Sequence, residues 1–336
     1  MRQDLTRVIN SEFPSKKIIV VGDVIADQFL HGTIDRVSRE APVFILKHDR
    51  TETLPGGAGN AAVNVASLGG HVFLIGVVGC DRNGEHLLES LRSANVNCEG
   101  VVVASSFETT TKVRVLASRH HATRQQVIRI DYEGKLQMEE SVERSLVENF
   151  HDLAAGADAI IVSDYNYGVV SKSFSALVRD YAKRRGIPLL VDSRYRLRDF
   201  VGMTSATPNQ EEVEDLIGKK LLDEADLVDH CEELRRELNC EALLVTRGSK
   251  GMVLLEKDGT KAHLEAVGSK EPVDVTGAGD TVIAAYSLAL ASGLSFLESA
   301  WIANHAGGIV VMKKGTASVS PEELIESINF NKLACK

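Results

Sequence analysis

The sequence predicts an α/β protein: a central, mostly parallel sheet flanked by helices, with a small β-sheet lid over one edge. Short runs rich in Ile, Val and Leu alternate with helical patterns, which marks strands buried on both faces of a parallel sheet. The strands are Lys17 to Val21, Val72 to Val78, Ala159 to Val162, Pro188 to Val191 and Ala242 to Val245. Between them, Gly57 to Leu68, Gly84 to Ala94, Ser171 to Arg185 and Val282 to Ala291 read as helices. Two stretches, approximately 28–48 and 101–131, break that rhythm; Thr109 to Leu116 and Gln126 to Asp131 alternate as strands outside the main sheet. With no internal repeat and its 7 prolines dispersed, the chain 1–336 reads as a single domain carrying this lid.

Composition narrows the function. A chain of 336 residues, 44% hydrophobic, buries a sizeable core. Its 38 basic and 47 acidic residues give a net charge of −9 with no basic block, which argues against a nucleic-acid partner. Five cysteines (Cys80, Cys98, Cys231, Cys240, Cys335) are odd in number and lack C-x-x-C spacing, so neither a disulfide framework nor a zinc site is indicated. The N-terminus lacks the apolar core of a signal peptide, and Val282 to Met312 is interrupted by Glu298, Asn304 and His305. These features predict a cytoplasmic protein without a membrane span.

The strand ends carry the polar residues. Asp23 follows the first strand, with Asp27 close behind, and the two either hold sugar hydroxyls or cap a turn. Ser163-Asp164-Tyr165, Asp192-Ser193-Arg194 and Thr246-Arg247-Gly248 end later strands and outline a crevice on the edge where ligands collect. Gly56 and Gly57 permit close backbone approach, and Asn60 faces the site from the helix they start. Asn209 and Glu212, three apart, form either a reciprocal helix cap or a pair orienting Mg²⁺-bound water. No Walker or protein-kinase loop set is present.

Asp274-Val275-Thr276-Gly277-Ala278-Gly279-Asp280-Thr281 runs straight into an apolar helix. The first amides of that helix and its dipole make an anion cup, and Asp280 lies inside it. There it either caps the helix or takes a proton from a phosphoryl acceptor.

This octapeptide resembles the C-terminal signature of the ribokinase-like (PfkB) carbohydrate kinases. Pro55-Gly56-Gly57-Ala58-Gly59-Asn60-Ala61-Ala62 is similar to their first signature. The resemblance implies Asp280 as base, with Gly277, Ala278 and Gly279 forming the anion hole, and Asp23 among the substrate ligands. It also implies ATP passing Thr246, Gly248 and Gly251, adenine packed near Asn304, and Mg²⁺ reached through water by Asn209 and Glu212. K⁺ beside Asp274 and a homodimer joined through the lid follow from the same source.

Within the family the chain is most similar to the bacterial heptose-7-phosphate kinases of lipopolysaccharide-core synthesis. That similarity rests on Gly22-Asp23-Val24, Ser38 to Val43, Gln125 to Asp131 and Asp274 to Ile283. It implies phosphorylation of the anomeric hydroxyl of D-glycero-D-manno-heptose 7-phosphate. Arg36, Arg39, Lys112, Arg114 and above all Arg129 supply lid cations for the substrate's own phosphate. Tyr167 stands where those kinases carry a lysine, and Ser193-Arg194 replaces their Pro-Lys. The adenylyltransferase half of the bifunctional form is expected to be absent. Another sugar or phosphosugar kinase of this fold, or a non-catalytic sugar or nucleotide sensor, are the alternatives.

Overall fold

Alternation along a single strand divides the interior in two. The structure, a computed structural model, describes residues 5–118, 125–134, 137–269 and 271–334. After a short helix α1 (Leu5–Arg7) come β1 (Lys17–Gly22), a long hairpin of β2 (Val24–Val37) and β3 (Phe44–Gly57), then α2 (Ala58–Ser67), β4 (His71–Gly79), α3 (Arg82–Ser93) and β5 (Asn97–Ala104). Next are β6 (Thr111–Ser118), β7 (Gln125–Tyr132), α4 (Glu140–Leu153), β8 (Ala159–Asp164), α5 (Lys172–Arg185), β9 (Leu189–Ser193) and β10 (Ser205–Ala206). The remainder comprises α6 (Gln210–Ile217), α7 (Glu224–Leu238), β11 (Ala242–Thr246), β12 (Met252–Glu256), β13 (Lys261–Leu264), α8 (Ala278–Ala291), α9 (Phe296–Val310) and α10 (Pro321–Ala334).

The main sheet has nine strands in the order β13-β12-β11-β10-β9-β8-β1-β4-β5. All are parallel from β11 to β5, and β12 and β13 close one side as antiparallel strands. Ile18 and Val20 of β1 pack with Val65, Val282 and Ile302 on one face, while Ile19 and Val21 pack with Phe150, Phe174 and Leu227 on the other. Because α8 is buried almost all round, from Asp280 to Ala289, it is apolar on every side rather than amphipathic. Among the described residues no helix is long and apolar enough to cross a membrane.

From β1 the chain builds outward to β4 and β5, then returns to lay β8 on the other flank. That reversal is a switch point, where strand ends diverge and leave a crevice. Asp23 and Asp164 leave the sheet there.

The second sheet has four strands in the order β3-β2-β6-β7. Its extent differs from the expected segments. The first reaches from Val24 to Gly57, because β2 continues almost directly from β1 and β3 runs straight into α2. The expected second segment starts too early: Val101–Ala104 pair in register with Gly76–Gly79 of β4 and belong to the main sheet. Val101 and Val102 pack partly buried against the two core faces of the main sheet while Val103 stays exposed at its edge, and the lid takes over only at Thr111. Residues 119–124 of that segment, Cys335, and the first four residues of the N-terminal reading lie outside the described residues.

The loop entering the lid is tied to the main domain by Asp81, which caps α3 through the Gly84 amide (2.8 Å) and also accepts from the Thr109 amide (2.7 Å). Burial opposes its charge, but these amides outweigh burial and hold its carboxyl below the ordinary value. A group with a depressed folded pKa stabilises above its unfolded value and loses that contribution as pH falls. Asp81→Ala should therefore lower urea-measured stability by about 1–3 kcal/mol at neutral pH. The deficit should shrink below about pH 4, where the parent's carboxylate is protonated too.

Candidate active site

A single glycine lets the two ends of the chain meet. Gly277 caps α8 in the left-handed conformation (φ 76°), and a Cβ there would lie 2.4 Å from Asn60 Nδ2. With no side chain in the way, Asn60 Nδ2 donates to Asp280 Oδ2 at 2.7 Å. Tyr165 Oη donates to Asp280 Oδ1 at 3.4 Å. Asp280 is 4% exposed, and burial pushes its carboxyl up to about 7 against the hydrogen bond from Asn60; nearby Asp27 adds to the rise, while Tyr165 and Lys112 oppose it.

The anion cup is narrower than the sequence implies. The Ala278 amide donates to Val275 O at 3.2 Å within the turn, so Ala278 is withdrawn from the donor set. The amides of Gly277, Gly279 and Asp280 have no backbone acceptor among the described residues and remain as donors at the helix start.

Asp27 is opposite Leu54 in the lid hairpin, and its side chain reaches so near Gly56 that a Cβ there would lie 2.4 Å from Asp27 Oδ2. Asp27 pairs with Arg114, whose guanidinium stacks 5.6 Å from the Phe29 ring centroid. Lys112, two residues earlier on β6, is buried, and its ammonium lies 5.5 Å and 5.6 Å from the ring centroids of Tyr165 and Tyr167. Burial holds its pKa below the ordinary lysine value, against the pull of Asp27 and Glu133.

Two expected substrate carboxylates are engaged elsewhere. Asp23 accepts the amides of Tyr165 (2.7 Å), Tyr167 (3.1 Å) and Val169 (3.2 Å), which fastens the loop after β8; burial raises it to about 6. Asp164, fully buried, accepts from Ser193 Oγ at 2.7 Å and is ion-paired with Arg196. Both shape the crevice through the loops they hold. Arg129, half-exposed, pairs with Asp131 at 2.9 Å, and Arg36 pairs with Asp35 in solvent. Arg129 nevertheless joins Lys112, Glu133, Tyr165, Tyr167 and Arg194 in lining a cavity of about 350 Å³.

That cavity shares Tyr165 and Arg194 with a larger one of about 840 Å³, walled by Asp192, Asn209, Glu212, Thr246, Gly248 and Gly277 to Asp280. A third, largely apolar cavity of about 170 Å³ adjoins it at Thr246, Gly248 and Gly279, and is lined by Gly251, Val275, Val282, Asn304 and Gly307. Asn304 Nδ2 donates to Glu265 O at 2.7 Å, pinning the loop after β13 against α9. Asn209 and Glu212 make the reciprocal cap: Asn209 Oδ1 accepts the Glu212 amide and Glu212 Oε2 the Asn209 amide, both at 2.9 Å. The capping alternative is thus realised, with Glu212 still on the cavity wall.

The sequence places Tyr165 and Asp192 on the crevice and Thr281 in the α8 turn without giving them individual roles, and it does not mark Asn64 at all. Asp192 faces Gly279 (3.7 Å from its ideal Cβ) and is pushed well up by burial, with Glu212 and Asp280 adding to the rise. Its place after Leu190-Val191, beside the other strand-end acids, was the available signal.

Three adjoining cavities, two of them reaching a helix start and the largest walled by its buried carboxylate, suit a group-transfer enzyme of ribokinase-like architecture. The sequence profile of the pfkB family carbohydrate kinases matches residues 15–323, and the chain belongs to that family. "Bifunctional protein HldE" of Nitrosococcus oceani is 40% identical over 320 residues, covering 94% of this chain and 65% of that protein. Its namesake from Pseudomonas syringae pv. syringae is 41% identical over 319 residues, covering 94% and 64%. The chain thus spans under two thirds of the length of these relatives. Among solved structures, Arabidopsis thaliana ribokinase complexed with ribose and ATP aligns with TM-score 0.71 at 20% identity, covering 94% of this chain and 99% of that one. Escherichia coli phosphofructokinase-2 in complex with fructose-6-phosphate aligns at 0.73 and 20%, covering 94% and 98%. These structural likenesses establish the fold.

Gly277→Ala sets a methyl against Asn60 Nδ2 and strains a left-handed cap. Displacing Asp280 from its partner by even about 1 Å should lower kcat by about 10²-fold. Circular dichroism should show the fold retained; turnover near the parent's would show that this contact is dispensable.

Proposed function

We propose that this carbohydrate kinase transfers the γ-phosphoryl group of ATP to the anomeric hydroxyl of D-glycero-D-manno-heptose 7-phosphate, giving the 1,7-bisphosphate. The observation that carries this reading is the buried carboxylate of Asp280, set at the α8 start on the wall of the 840 Å³ cavity and in contact with Tyr165, which that cavity shares with the tyrosine-lined one. Adenine fits the apolar cavity near Asn304 and Gly251, and the phosphates pass Thr246 and Gly248 towards the amides of Gly277 and Gly279. Asp280 takes the acceptor's proton as its oxygen bonds to phosphorus and the bond to ADP breaks. The helix start stabilises the charge on the transferred group.

Mg²⁺ fits the hard oxygen donors on the wall, Asp192, Asn209 and Glu212, and when bound would neutralise phosphate charge. The like-charge crowding at Asp192 and Glu212 supports a cation there. K⁺ beside Asp274 is part of the proposal; Asp274 accepts the Thr276 and Gly315 amides (3.0 and 2.9 Å), which orders the surrounding backbone. The free thiols of Cys80, Cys98, Cys231 and Cys240 suit the cytoplasm.

The heptose phosphate is supported by the sequence resemblance and by about 40% identity to the HldE proteins over 94% of the chain. It is supported too by the cavity lined by Lys112, Arg129 and Arg194, which offers a cationic place for a second phosphate remote from the ATP side. Binding energy realised there would orient the anomeric hydroxyl against Asp280. ADP release should favour heptose 7-phosphate over free heptose in both kcat and KM, with the difference narrowed by Arg194→Ala or Arg129→Ala. Asp280→Asn should retain ATP binding and lose about 10²–10⁴-fold in kcat. Since the base must be ionised and its pKa lies near 7, kcat/KM should rise with pH through that region. Equal kcat/KM for the two heptoses would move the enzyme to the free-sugar kinases; no turnover with any sugar would favour a sensor.

A homodimer joined through the lid belongs to the same proposal. Strand β7 is exposed along its whole length, and Phe44, Ile128 and Tyr132 are 56%, 54% and 58% exposed on an open-edged sheet. Sedimentation at micromolar concentration should give a dimer that Ile128→Lys dissociates; a monomeric parent would rule it out.

A further inference from the structure

We infer that Asn64 and Thr281 are positioning residues that hold Asp280 as a base whose proton-accepting atom is Oδ1. The inference rests on Asp280 being the base, and it comes from a buried hydrogen-bond chain of one polarity joining α2 to α8. Asn64 Nδ2 lies 2.9 Å from the backbone oxygen of Asn60, which only accepts, so the orientation of the Asn64 amide is fixed. Its Oδ1 then accepts from Thr281 Oγ1 at 2.9 Å, and its Nδ2 also faces Asn60 Oδ1 at 3.2 Å. Asn60 Oδ1 being so engaged, its Nδ2 is the atom left to face Asp280 Oδ2 at 2.7 Å and Gly277 O at 3.5 Å.

A protonated Oδ2 would have to donate, and it would meet only the N–H donor of Asn60. The chain therefore favours the carboxylate and sends the captured proton to Oδ1, whose partner Tyr165 Oη is a hydroxyl that can turn from donating to accepting, as the Asn60 amide cannot. Thr281 has a single hydroxyl proton and a second acceptor, Gly277 O, at 3.3 Å. Its choice of Asn64 locks the far end of the chain. The other titratable groups facing Asp280 are Asp27 from β2, Lys112 from β6, Tyr165 after β8 and Asp192 from β9. None of them touches Asn64 or Thr281, so the chain is perturbed independently of them.

Thr281→Val keeps shape and removes the hydroxyl; Thr281→Ser restores it; Asn64→Leu removes the middle link. Asp280 is followed by carboxyl ¹³C NMR against pH in the full chain, its resonance assigned by its loss in Asp280→Asn. In Thr281→Val the midpoint should rise by about half a unit to one unit, which corresponds to a three- to tenfold weaker preference for the ionised form. The acidic limb of kcat/KM should move with it, KM for ATP should stay at the parent's value, and Thr281→Ser should return both. Asn64→Leu should move the midpoint in the same direction; if it fails to fold, the Thr281 pair decides alone. An unchanged carboxyl midpoint in Thr281→Val overturns the inference. Full turnover in Asp280→Asn would instead reject Asp280 as the base, and the NMR midpoint would still decide whether this chain sets its ionisation.

Discussion

The contact between Asn60 and Asp280 joins parts of the chain 220 residues apart, and most of the site depends on it. α2 and α8 cross over the same face of the main sheet, each delivering its first turn to the switch point where β1 and β8 part. Neither helix start is useful alone. A carboxylate at the N-terminus of α8 is stabilised by the helix dipole and destabilised by burial. The Asn60 amide is the partner that moves the balance back towards charge. Gly277 permits that approach, and the nearly all-apolar α8 places its charged end deep without needing an amphipathic face.

The same constraint explains what the sequence disclosed. Strands buried on both faces announce themselves as apolar runs, and Gly277 and Gly279 mark a place where backbone conformation matters more than side chains. The parallel sheet, the lid strands Thr109 to Leu116 and Gln126 to Asp131, and the α8 turn were therefore readable, though not the order of the strands. Val101–Ala104 was not, because a valine run fits the edge of a main sheet as well as a lid, and only its pairing with β4 decides between them. The roles of Asp23 and Asp164 were hidden for a different reason. Their partners are the Tyr165, Tyr167 and Val169 amides and the Arg196 guanidinium, and a local pattern does not say which oxygen meets which donor.

Glu212 and Ala278 show how backbone hydrogen bonding revises a motif-level reading. The reciprocal cap occupies Glu212 Oε2 without removing the side chain from the cavity wall, so capping and proximity to phosphate are compatible. For Ala278 they are not. Its amide closes the turn onto Val275 O, while the neighbouring amides of Gly277 and Gly279 keep no backbone acceptor among the described residues. One donor is spent in the turn and the others stay available.

The cations on the sugar side of the cleft come from two parts of the chain. Asn166 and Tyr167 bring no cation to the loop after β8, but Lys112 from β6 lies over the rings of both Tyr165 and Tyr167. Tyr167 also donates to Glu133, and Arg194 stacks on Tyr195 at 5.6 Å. The positive charge facing the 350 Å³ cavity thus comes partly from the lid and partly from the strand-end Arg194. A guanidinium offers a planar fork where an ammonium offers a point charge, and rings hold an ammonium by cation–π attraction without neutralising it. In the proposed reaction, a substrate phosphate in this cavity would draw Lys112 and Arg129 on β6 and β7 towards Arg194 on the main domain. The lid would then close in response to the far end of the sugar, bringing the near end to Asp280.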